Sequence, residues 1–241
     1  MCTVTFVPVK NGALITSNRD EKHVRKLAIP PQAYKHNEGY LIYPKDADAG
    51  GTWVAMKDNG NAAVLLNGGF IKHTYQPPYR RSRGLIFLDI VGDETPVGAF
   101  SVIALDNIEP FTLIVYNGNS LVECRWDGNK KHIKQLPVNV AHIWASVTLY
   151  DETVITKREQ WFNKWLQKNP IPTVESILNF HHFGGDGDVY NDIRMNRNGI
   201  YYTVSITAMQ LKNSGCSMHY LDLKNNRSFI QQIDVSSAVA V

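Results

Sequence analysis

No run of apolar residues in this chain approaches the ~20 that a membrane-spanning helix needs. The longest, LIFLDIV and AAVLL, stop far short. Cysteine is scarce. Cys2, Cys124 and Cys216 show no C-x-x-C spacing, which argues against a disulfide scaffold and a structural zinc site. Neither sign of charge dominates: 25 Lys and Arg face 22 Asp and Glu, a net +3, too little to argue for a nucleic-acid partner. No serine sits in a Gly-x-Ser-x-Gly elbow, and GGDG at 184–187 lacks the Lys-Ser/Thr of a phosphate loop. Thr3, Thr5, Pro8 and Lys10 break up any apolar core of a secretion signal. The expectation is a soluble, cytoplasmic protein with no membrane span. Oligomeric state is left open.

What is present is ordinary for a globular chain: 241 residues, 44% apolar and 20% charged. No repeat, linker or low-complexity tract divides it, so one α+β domain over 1–241 is expected. Residues 2–7 alternate, Asn11-Gly12 is a strong hairpin signal, and ALITSN reads as the returning strand. The loop from Arg25 to Asn37, with Pro30-Pro31, reads as irregular. YLIYP, TWVAMK, NAAVLLN, FTLIVYN and LVECRW read as strands, and HIKQLPV as a further candidate. Ser82–Gly92 reads as a helix. The clearest helix lies between Asp151, its expected N-cap, and Pro170; Val154, Arg158, Trp161, Phe162 and Trp165 trace its buried stripe. Thr173 caps a further helix, and the last third returns to strands.

The first hairpin carries the candidate chemistry. If Lys10 pairs with Ala13, Cys2 faces Glu21 directly and Arg19 sits diagonally on the same sheet face; a bulge would exchange these for Asn18 and Asp20. Methionine is trimmed when the second residue is small. Removing Met1 would free an α-amine on Cys2, with a pKa near 7.7–8.0, to act as general base toward its own thiol. A nearby arginine lowers a thiol pKa, and a carboxylate orients the ammonium group. The plainer reading, a buried cysteine opening a strand, stands beside this one.

MCT, SNRDE, GGTWVAM, LLNGGF and PPYRRSRG, together and in this order, resemble the NRDE-motif family, also called the transport and Golgi organisation protein 2 family. That family is similar to N-terminal nucleophile hydrolases of the penicillin V acylase and bile-salt hydrolase type. The resemblance implies a four-layer αββα sandwich of two mainly antiparallel sheets. It implies Cys2 as nucleophile, with Arg19 and Asp20, or Glu21 in the aspartate's place, contacting the reacting end. It implies Asn67 as oxyanion donor, whose plainer reading is a turn residue before Gly68-Gly69. Asn18, Trp53, Arg80, Arg81 and Ser146 are the candidate ligand contacts, although Trp53, like Trp144, Trp161 and Trp165, also reads as core. Two departures stand out. Ser146 falls where relatives carry an asparagine, and Val204 where they carry an arginine.

Two functions follow. One is hydrolysis of a non-peptide amide or related acyl substrate through Cys2, without a cofactor. The other is a carrier that kept the fold and lost the chemistry, gripping haem or an acyl-CoA-like amphipathic anion through Arg19, Lys22, Arg25 and Arg80–Arg83. His181-His182 with Asp186, Asp188 and Asp192 is discounted as a metal site, because adjacent helical histidines point about 100° apart.

Overall fold

The computed structural model describes residues 2–36 and 39–233, the side chain of Cys2 lying outside the described residues. Alternating residues build β1 (Cys2–Val9) and β2 (Gly12–Lys22). Val9 pairs with Gly12 across a Lys10-Asn11 turn in which Asn11 takes φ 62°. The expected turn was one step later. The register therefore slides by two: Cys2 lies opposite Arg19, not Glu21, and the parity of the strand faces is kept.

This hairpin sits within an antiparallel sheet of order β10-β1-β2-β12-β13-β14, with β10 (His142–Ala145), β12 (Tyr201–Lys212), β13 (Gly215–Asp222) and β14 (Arg227–Ile233). The short β11 (Asn196–Arg197) pairs with β12. The second sheet is a meander in chain order: β3 (Ile29–His36), β4 (Gly39–Lys45), β5 (Val54–Lys57), β6 (Ala62–Asn67), β7 (Phe111–Tyr116), β8 (Leu121–Trp126) and β9 (Lys131–Leu136). Pro30 and Pro31 fall inside β3, contrary to expectation. An edge strand accommodates them, because its outer N–H groups need no partner, and the register shifts between Ile29 and Gln32.

Val4, Phe6 and Ile15 of the first sheet share one buried cluster with Val64, Leu113 and Tyr116 of the second. Helix α1 (Arg83–Gly92) packs on β5 and β6, and α2 (Pro96–Val102) on β8. On the other side α3 (Glu152–Lys168) lies by β10, and α4 (Val174–Phe183) by β2 and β12. Val7, Leu14, Phe162, Ile177, Phe180 and Ile193 fill the interface there. The layers are αββα, as expected. Ser82, Asp151 and Thr173 cap α1, α3 and α4 through their side chains. Helix α2 was not anticipated: seven residues with no side-chain cap leave little pattern to read. Along α3, Val154, Arg158 and Phe162 are buried, whereas Trp161 and Trp165 are only partly covered. Among the described residues no helix is long and apolar enough to cross a membrane.

Candidate active-site cleft

The side-chain period of a strand is two, so the quartet Asn18-Arg19-Asp20-Glu21 divides between two faces of the sheet. Arg19 and Glu21 face the cleft between the sheets. Asn18 and Asp20 face the helices. Arg19 is 5% exposed, and its Nη2 donates to Asp46 Oδ2 at 2.7 Å. Its guanidinium carbon stacks 4.2 Å above the Trp53 ring, and Glu21 Oε2 lies 3.8 Å away. Arg25 Nη2 shares the same Asp46 oxygen at 3.2 Å, while the other oxygen accepts the backbone N–H groups of Asp48 and Ala49. Two cations and a turn thus converge on one carboxylate. Asp46 is the functional candidate that sequence reading passed over; its only local signal is an aspartate opening the DADAGG turn.

Arg19, Glu21 and Trp53 line a cleft of about 680 Å³ together with Asn67 and residues of the 75–84 segment. The close approach of two glycines shapes its wall: a Cβ on Gly51 would come within 2.4 Å of the Gly84 carbonyl carbon. Arg80 and Arg81 also line the cleft. Arg80 donates to the carbonyls of Ala104 and Asp106, and Arg81 pairs with Asp89 at 2.5 Å. Asn67 ends β6, and its side-chain amide has no hydrogen-bond partner among the described residues. Ser146 Oγ donates at 2.8 Å to the Asn67 carbonyl, so it buttresses that residue from the other sheet. Ser146 borders a small neighbouring hollow and not the main cleft. Val204 occupies the irregularity between Thr203 and Ser205, across β2 from Arg19 and Asp20. The backbone of Cys2 pairs with Arg19.

Besides Ser146, two of the expected site residues are placed away from the cleft by the fold. Asp20, expected at the reacting end, is fully buried on the helix face. It accepts from Tyr150 Oη at 2.6 Å and Thr203 Oγ1 at 2.7 Å. Burial raises its pKa, while the Arg158 charge and those two hydrogen bonds pull it down. Burial and the neighbouring Asp20 hold the Tyr150 phenol well above its ordinary range. Asn18, expected to touch ligand, instead donates to the carbonyls of His181 and Ile193 at 3.1 and 2.8 Å and accepts from His181 Nδ1 at 2.5 Å. His181 Nε2 meets Thr5 Oγ1 at 2.8 Å, and burial, aided by Arg158, pushes the ring down to about 3. His182 turns away to Arg194. Arg158 was legible as the one cation on an apolar helical stripe, but its role was not. Cys124 and Cys216 are buried; burial pushes the Cys124 thiol up to about 12 and raises that of Cys216.

Solved structures share this architecture. The N-acylethanolamine-hydrolyzing acid amidase ortholog of Caenorhabditis elegans matches with TM-score 0.58 and 14% identity, covering 86% of this chain and 92% of that one. A cysteine-to-alanine mutant of conjugated bile acid hydrolase from Clostridium perfringens matches with TM-score 0.61 and 11% identity, over 97% and 92%. An arginine-to-leucine variant of that hydrolase gives 0.59 and 9%, over 100% and 99%. The fold is that of the N-terminal nucleophile hydrolases. No curated protein matches the sequence at comparable significance. Residues 1–215 match Transport and Golgi organisation 2, and the chain belongs to that family.

Proposed function

We propose that this protein hydrolyses a non-peptide amide, or a related acyl substrate, through Cys2 exposed by loss of Met1. The observation that carries this reading is the pairing of residue 2 with Arg19, whose guanidinium forms part of the cleft wall. The Cys2 α-amine takes the thiol proton as the sulfur attacks the acyl carbon. Arg19, held by Asp46, favours the thiolate. Asn67, with its amide unengaged, donates to the oxyanion of the tetrahedral intermediate. Collapse forms a thioester as the α-ammonium protonates the leaving amine. Water, deprotonated by the same amine, then releases a carboxylic acid and restores the thiol. Glu21 orients the ammonium group.

The test is intact-mass analysis followed by acylation with an electrophilic probe and mapping of the adduct. The expected protein lacks Met1 and carries the adduct on Cys2, none forms in Cys2→Ala, and Asn67→Ala slows turnover ~100–1,000-fold. Retention of Met1, or an adduct elsewhere, rules the mechanism out.

A second reading, a carrier of haem or an acyl-CoA-like amphipathic anion, draws support from Arg80. Among the described residues this exposed cation binds backbone carbonyls at the cleft and no carboxylate, and carbonyls leave its charge uncompensated. Val204 and the engaged hydroxyl of Ser146 add no oxyanion donor. Titrating haem and an acyl-CoA against wild type and Cys2→Ala separates the readings. Equal saturable binding without turnover selects the carrier. A covalent adduct confined to wild type selects the enzyme.

A further inference from the structure

Behind the sheet that carries Arg19, a fully buried guanidinium has no carboxylate of its own among the described residues. Arg158 Nη1 donates to Thr3 Oγ1, Nη2 to the carbonyls of Asn191 and Asp192 at 3.0 and 2.6 Å, and the guanidinium lies 3.7 Å above the Tyr150 ring. Tyr150 passes the link to Asp20. The residue after Cys2 and the residue after Arg19 are therefore tied to one charged network. Nothing apolar about this interface requires it: the same helix layer covers Val7 and Leu14 with Phe162 and Ile177. Well-packed apolar residues at such a place are often as stable as buried charge or more so.

The ladder explains what the network holds. Thr3 is the first residue of β1 paired on both sides, to Asn18 and to Ala145. Among the described residues Cys2, the first of β1, is paired to Arg19 and has no partner on β10. Its placement relative to Arg19 passes through Thr3 on one strand and Asp20 on the other. We propose that Arg158 is a positioning residue for Cys2, acting through Thr3 and, by way of Tyr150 and Asp20, through the strand that carries Arg19. This rests on the reading of Cys2 as nucleophile. Arg158 is not among the residues that line the cleft. It fixes the end of β1, so that the residue-2 sulfur meets the field of Arg19 at one distance.

The experiment follows carbamidomethylation of Cys2 by iodoacetamide against pH, read by peptide mass so that Cys124 and Cys216 do not contribute. Wild type, Arg158→Met, Arg158→Lys and Thr3→Val are compared as full chains, with thermal unfolding of each. Arg158→Met and Thr3→Val should each slow alkylation at neutral pH about tenfold, the scale of one lost charge-assisted hydrogen bond, and move the pH profile upward. Their double variant should lose no more than either alone, because both cut one link. Arg158→Lys, which keeps a donor, should recover part of the rate. Wild-type rates and profiles in variants that melt like wild type overturn the proposal. Should Arg158→Met fail to fold, Thr3→Val, which exchanges one hydroxyl for a methyl, decides it by the same criterion. Wild-type protein that alkylates at Cys2 but never acylates refutes the hydrolase reading alone.

Discussion

Removing the carboxylate of Asp46 perturbs the cleft at its most connected point. That group holds Arg19 at 2.7 Å and Arg25 at 3.2 Å on one oxygen, and two backbone N–H groups at 2.9 Å on the other. Arg19 is buried, so among the described residues Asp46→Ala leaves it the Trp53 face and Glu21 at 3.8 Å to replace the lost partner. Breaking such a pair from one side costs about 3–5 kcal/mol. For a chain of this size that lowers the melting temperature by about 6–20 °C. Asp46→Asn keeps one carbonyl oxygen, which serves either the turn or Arg19 but not both. Its expected cost is about 2–3 kcal/mol. The sharper test is the double variant Arg19→Met/Asp46→Ala, set beside each of its single variants. Removing both charges removes the desolvation problem, so the double variant should be more stable than Asp46→Ala and far from the sum of the single effects. Thermal and urea unfolding measure all of these. A loss under about 1 kcal/mol in Asp46→Ala, or strict additivity in the double variant, would falsify the assignment of Asp46 as the anchor of Arg19.

His181 should make stability fall with acid. Its folded pKa, about 3, lies below the unfolded 6.5, so from pH 6.5 downward only the unfolded chain takes the proton. Stability should drop by about 1.4 kcal/mol per pH unit in that window, and His181→Gln should flatten the dependence of the urea midpoint on pH. Asp151→Ala removes the bond to the Val154 N–H and should cost about 1 kcal/mol in the same assay. Phe162→Ala, at the centre of the helix-side cluster, should cost about 3–5 kcal/mol. Gly51→Ala should both destabilise and reshape the cleft wall, because its Cβ meets backbone of Gly84 that cannot rotate away; a wild-type melting curve would show that the Gly51 loop and the start of α1 are not in contact.

Features encoded within a few neighbouring residues were readable from the chain. Ser82, Asp151 and Thr173 each sit next to the helix they cap, and Asn11 stands in the hairpin turn. The face assignment of Arg19 and Glu21 followed from strand alternation and survived the two-residue slide, since an even shift keeps parity. Asp46 was illegible because its partners lie 27 and 21 residues earlier, across a loop whose path is set by tertiary packing. Asp20 was misplaced for a related reason. Its neighbours in the charged cluster suggested one site, while its partners come from distant chain segments: Thr203 from the neighbouring strand β12 and Tyr150 from the segment leading into α3. Pro30-Pro31 looked incompatible with a strand because nothing local tells an edge from a centre.

The division of residues 18–21 between two faces sets a rule of counting for this hairpin. Deleting one residue between Ala13 and Ser17 would turn the quartet over, sending the arginine under the helices and the aspartate into the cleft, whereas deleting two would return each side chain to its own compartment. Length changes in that strand should therefore be tolerated in even steps only, however unlike the residues removed.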